Sequence, residues 1–128
     1  MYKSKGTLKY YDEPVKLIVV VDENISKYYY TLIPKWKNAT RQKYAAHISV
    51  VRNEDIPNKQ LWKKYEGEEV EYYYDPIIQC GKVYYWLNVF CKRLEEIRLE
   101  LGMSVNSPYT LPPEGFIRAF HITLANSK

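Results

Sequence analysis

Residues 15–21, Val-Lys-Leu-Ile-Val-Val-Val, form a nearly continuous β-branched run, the pattern of a strand buried inside a sheet. A shorter strand is predicted just before it, over 6–11, with a turn at Asp12-Glu13-Pro14. A helix follows over about 24–33, with Asp22 or Asn24 as N-cap candidates and Pro34 closing it. The stretch from Lys35 to Lys43 is basic and loop-like. Residues 44–52 again read as a strand, and a short helix is expected near 58–66, after Pro57. Residues 69–74 and 82–89 form a predicted strand pair around a turn that contains Asp75-Pro76 and Gly81. The strongest helical pattern spans 89–101, where Phe90, Leu94, Ile97 and Leu101 recur on one face and Gly102 ends the run. A proline- and serine-rich loop over 103–115 leads to a last strand over 116–124. Strands and helices intermix, with several antiparallel pairings, and this predicts a single α+β domain over residues 1–128.

Composition narrows the picture. Apolar residues make up 46% of the chain and charged residues 27%, the balance of a folded soluble protein. No apolar run approaches the roughly 20 residues of a membrane span. The first residues carry no signal-peptide pattern, so a cytoplasmic location is expected. Cys80 and Cys91 make neither a metal site nor a disulfide framework. A net charge of +4 suits a small anionic ligand but is too low to demand a long double-stranded nucleic acid. The 14 tyrosines and three tryptophans mostly suit core and sheet faces, leaving a few to stack on bases.

Both histidines sit in matched frames: Ala45-Ala46-His47-Ile48-Ser49 and Ala119-Phe120-His121-Ile122-Thr123. Side chains alternate along a strand, so His47 and Ser49 share a face about 6–7 Å apart, with Ile48 and Val50 on the other. His121 and Thr123 share a face in the same way, with Phe120, Ile122 and Leu124 behind them. Ala45 and Ala119 fall on the histidine faces, where a small side chain leaves room for a ligand. Two neighbouring strands of this kind bring two imidazoles and two hydroxyls to one cleft. The hydroxyls suit the non-bridging oxygens of a phosphate. One neutral imidazole can accept a proton from a nucleophile while the other, protonated, donates to a leaving oxygen. No carboxylate adjoins either motif and no metal-ligand spacing occurs, so the chemistry is expected to need neither metal nor cofactor.

The paired motifs make the chain resemble a two-histidine (2H, or LigT-like) phosphoesterase. That resemblance implies a compact bilobal fold, with mostly antiparallel sheets around a central cleft and helices packed outside. It also implies cleavage of 2′,3′-cyclic phosphates, or of 3′,5′ bonds beside a free 2′-hydroxyl. His47 and His121 would then be the acid–base pair, with Ser49 and Thr123 as phosphate clamps; serine at 49 stands where threonine is commoner. The compact chain and the run from Tyr44 to Glu54 are most similar to the phage anti-CBASS phosphodiesterases, which degrade cyclic oligonucleotide messengers in the infected cell's cytoplasm. Two alternatives stay open: an RNA-processing 2′,3′-cyclic phosphodiesterase, and a non-catalytic nucleotide- or RNA-binding module. Tyr11, Trp36, Tyr109 and Phe116 are the candidates for base stacking, and Lys43, which shares the parity of His47, is a candidate phosphate contact. Arg118 has the opposite parity to His121 and is expected to point away unless a bulge re-aims it.

Overall fold

The structure, a computed structural model, describes residues 1–106 and 111–127. Eight strands and two helices follow in the order β1 (Tyr2–Asp12), β2 (Val15–Val20), α1 (Glu23–Thr31), β3 (Thr40–Arg41), β4 (His47–Arg52), β5 (Glu69–Tyr74), β6 (Gln79–Cys80), β7 (Tyr84–Phe90), α2 (Lys92–Glu100) and β8 (Phe120–Asn126). All the strand pairings are antiparallel, in an α+β domain. Six strands close on themselves in the order β8-β4-β2-β1-β5-β7, with β7 pairing back to β8, while short β3 extends β8 and β6 extends β7. A single closed sheet therefore carries both histidine strands as neighbours.

Alternation along the strands decides what the barrel buries. Leu8 and Tyr10 from β1, Leu17 and Val19 from β2, Ile48 from β4, Leu87 and Val89 from β7, and Ile122 and Leu124 from β8 all join one core. Tyr29 and Ile33 from the α1 region and Leu94, Ile97 and Leu101 from the α2 region join it too. The helices thus pack on the apolar side of the sheet and leave the histidine side open. Asp22 caps α1, its carboxylate accepting the Asn24 amide at 2.9 Å. Among the described residues no helix is long and apolar enough to cross a membrane.

Several boundaries differ from the sequence expectation, each for a visible reason. The helix expected at 58–66 is reduced to a 3-10 turn over Lys59–Leu61. Trp62 turns extended so that its indole meets Tyr10 edge-on at 4.8 Å, and Lys63 adopts a positive φ of 69°. The helix expected from residue 89 begins at Lys92, because Val89 and Phe90 pair with Tyr74 and Tyr73 of β5. The last strand begins at Phe120 rather than 116. The Ile117 and Arg118 amides donate to the Glu95 carboxylate at 2.7 and 2.9 Å instead of entering a ladder.

Candidate active site

The two histidine motifs meet across the β4–β8 pairing, where Ile48 stands opposite Ile122. In an antiparallel pair this register sets His47 against Thr123 and Ser49 against His121. The four side chains form a rectangle on the face opposite the two buried isoleucines, with an approximate twofold relation about the Ile48–Ile122 pair. Each imidazole faces the other motif's hydroxyl, and the imidazoles occupy one diagonal, their Cβ atoms about 7–8 Å apart by strand geometry. All four line a single cleft of about 1070 Å³.

The two histidines are held differently. His47 lies where β4 begins, after a segment anchored to α1: the Ala46 amide donates to the Glu23 carboxylate, which also pairs with Arg41 at 3.2 Å. The His47 Nδ1 lies 2.8 Å from the Ala45 carbonyl oxygen. A carbonyl only accepts, so Nδ1 carries the hydrogen and Nε2 is the atom left for chemistry. His121 is held by β7 instead. Trp86 stands opposite Thr123 and Asn88 opposite His121, and the Trp86 indole N–H donates to Asn88 at 3.0 Å. That indole meets the His121 ring edge-on, with centroids 5.5 Å apart at 70°. His121 is solvent-exposed as a residue, but its ring packs against Trp86 and loses part of its hydration on that side. That burial, followed by the charges of Arg118 and Arg52, holds its pKa below the usual 6.5. The shift favours the neutral imidazole, the form that can accept a proton.

The cleft is one-sided in charge. Lys16, Lys43 and Arg52 line it, and among the described residues no Asp or Glu does. A basic, carboxylate-free lining around two imidazoles favours an anion. Among the described residues no three His, Cys, Asp or Glu side chains gather as metal ligands.

Of the sequence candidates, His47, Ser49, His121, Thr123, Tyr11, Lys43 and Ala45 all line the cleft. Trp36 does not: it sits in a 3-10 turn, 77% exposed, with Lys37 against its ring. Phe116 is also displaced, packed against Tyr73 and Phe90 in an aromatic cluster away from the cleft. Ala119 is buried before β8 begins and adds nothing to the lining. Tyr109 lies outside the described residues. Arg118 precedes the strand, so parity does not govern it; its guanidinium donates to the Asn106 carbonyl at 3.0 Å and lies over Phe120.

The sequence reading missed Lys16, Arg52, Tyr84 and Trp86, all in the lining. Lys16 carried a signal, since a lone lysine in an apolar run marks the face turned from the core. Tyr84 and Trp86 share a strand face, but only the β7–β8 pairing brings that face to the histidines. Arg52 was hidden by a bulge. It has the parity of Ile48 and Val50, which are both buried. The register slips so that Ile18 faces Ser49 while Leu17 faces Val51, leaving Val50 as the extra residue and turning Arg52 into the cleft.

Comparison of the chain with protein-family models, with curated proteins and with solved structures finds no match.

Proposed function

We propose that the protein is a metal-independent phosphodiesterase that cleaves RNA-type 3′,5′ bonds, with cyclic oligonucleotide messengers as its substrate class. The observation that carries this reading is the antiparallel register of two matched His-x-hydroxyl motifs in a cleft whose charged lining, among the described residues, is Lys and Arg with no Asp or Glu. Phosphoryl transfer needs entering and leaving oxygens on opposite sides of phosphorus. Two imidazoles on one diagonal meet that requirement, and the hydroxyls on the other diagonal reach the non-bridging oxygens.

In the first step neutral His121 removes the proton from a ribose 2′-hydroxyl, whose oxygen attacks the adjacent phosphorus. The bond from phosphorus to the 5′-oxygen breaks, and His47 Nε2–H protonates that leaving oxygen. Ser49 and Thr123 donate to the non-bridging oxygens as charge develops there. The product is a 2′,3′-cyclic phosphate with a free 5′-hydroxyl. Water then opens it with the histidine roles exchanged, leaving a 3′-phosphate. Trp86, Tyr84 and Tyr11 border the phosphate position and offer flat faces for bases. The cleft is at the upper end of the range for ligand pockets, roomy enough for more than one nucleotide.

This reading fits the family resemblance seen in the sequence, including action on the host's cyclic messengers during phage infection. The test is a panel of cyclic dinucleotides, cyclic trinucleotides and a 2′,3′-cyclic mononucleotide, with products identified by mass. Linear products ending in 3′-phosphate are expected from the cyclic oligonucleotides. Turnover of the 2′,3′-cyclic mononucleotide alone would move the function to RNA end processing. Tight binding without any turnover would leave a nucleotide-binding module.

A further inference from the structure

We propose that Lys16 and Arg52 form a second phosphate subsite, which commits the cleft to substrates of at least two nucleotides. The inference rests on the phosphodiesterase reading for the role of the first phosphate, but its geometry is independent of the histidines.

Lys16 and Arg52 are direct partners across the β2–β4 pairing, and both line the cleft. Two like charges facing each other on one side of a sheet repel, and such a pair is usually relieved by a nearby carboxylate. None is present. Among the described residues neither Lys16 nor Arg52 takes part in an ion pair. The nearby acids are engaged elsewhere. Glu54 accepts from Arg98 and from the backbone amide of Arg52, and Asp12 is paired with Lys63. The guanidinium of Arg52 remains free to meet a ligand, and it lies close enough to His121 to lower that group's pKa.

The bulge makes this pair. With regular alternation Arg52 would follow Ile48 and Val50 into the core; the extra residue sends its charge into the cleft beside Lys16 instead. Val50, the bulged residue, has its carbonyl held by Arg98 at 2.7 Å, so the distortion is braced from the core side. From Ser49 to Arg52 is three residues, about 10 Å of strand at most. Adjacent phosphates of an oligonucleotide lie closer together than that, and the long Lys16 and Arg52 side chains make up the difference, so a phosphate between the histidines places its neighbour within their reach. Tyr11 borders this end of the cleft, and its ring, 4.5 Å from the Lys16 ammonium, helps to hold that charge beside Arg52.

The probe is a 2′-deoxy cyclic dinucleotide, which carries two phosphates and has no 2′-hydroxyl to attack. Its affinity is compared by calorimetry with that of 2′-deoxyadenosine 3′-monophosphate, for the wild-type chain and a Lys16→Gln/Arg52→Gln variant. Thermal melts of both proteins confirm folding. The expected result is an affinity about 10- to 100-fold higher for the two-phosphate ligand, lost in the double variant and with a weaker salt dependence. Equal affinity for the two ligands, an unchanged affinity in the variant, or no binding of either would overturn the subsite. Turnover of the ribonucleotide counterpart is followed in parallel. Turnover that the variant leaves unchanged refutes the subsite and keeps the phosphodiesterase. Variant-sensitive binding with no turnover refutes the phosphodiesterase and keeps the subsite.

Discussion

Replacing Arg98 with methionine should destabilise the protein by about 3 kcal/mol, because one buried guanidinium ties three segments together. Arg98 is 3% exposed. Its Nε donates to the Ser104 carbonyl at 2.7 Å, one terminal nitrogen donates to the Val50 carbonyl at 2.7 Å, and both terminal nitrogens reach Glu54 at 3.2 Å. Methionine keeps an unbranched apolar stem and removes every donor. Breaking a buried pair by removing one partner costs about 3–5 kcal/mol. Glu54 is 38% exposed on its side chain, so water takes back part of its charge and brings that term towards its lower limit. The Val50 and Ser104 carbonyls lose their donor as well, which keeps the total near 3 kcal/mol. Glu54→Gln leaves both carbonyl bonds intact and should cost only about 1 kcal/mol.

Urea unfolding followed by tryptophan fluorescence measures both variants, with the slope expected to stay constant. A pH series adds a sign check. Burial alone would raise the Glu54 pKa, but hydrogen bonds from Arg98 and the Arg52 amide, with the Arg98 charge, hold it below its ordinary 4.5. That stabilisation is therefore complete above pH 4.5 and is lost as pH falls through the folded-state value. The gap between wild type and Arg98→Met should narrow in that acidic window. A loss under about 1 kcal/mol for Arg98→Met, or an equal loss for Glu54→Gln, would refute the view that Arg98 braces the bulge.

The pH dependence of kcat/KM should show an acidic limb below pH 6.5, since His121 must be neutral and its pKa is depressed. Arg52→Gln removes one of the charges that depress it and should move that limb upward; a limb that stays put would show that Arg52 does not act on His121. Trp86→Ala should weaken substrate binding by about 1–3 kcal/mol through lost stacking and a freed His121 ring, whereas Trp36→Ala should leave KM unchanged. The reverse pattern would move the base-binding region to the basic loop. Gly6→Ala should cost about 2–3 kcal/mol in a thermal melt, because an added Cβ would lie 2.6 Å from Val19 Cγ1 and closer still to the Val20 carbonyl oxygen. A neutral substitution there would mean that β1 and β2 can separate.

The part of the site legible in the sequence was the part governed by strand parity. His47, Ser49, His121 and Thr123 needed only alternation to share their faces. That the two strands adjoin is a long-range fact, fixed by the Ile48–Ile122 pairing. Closure of the barrel was illegible for the same reason, since it depends on β7 meeting both β5 and β8. Local pattern failed where tertiary contacts overrode it. Glu95 captures two amides that sequence alone assigns to a strand, and a one-residue bulge reverses the face of Arg52. The aromatic candidates divided by environment, which composition cannot show: Tyr11 lines the cleft, Trp36 faces solvent, and Phe116 joins an aromatic cluster.

The central claim is that His47 and His121 together perform metal-free phosphodiester cleavage. Its most direct test is turnover of a cyclic oligonucleotide in excess EDTA by the wild type and by His47→Ala and His121→Ala, each checked for folding by a thermal melt. The account predicts undiminished wild-type turnover in EDTA and a loss of about 10²- to 10⁴-fold in each single variant. Loss of wild-type turnover in EDTA, or a variant that keeps full activity, would contradict it.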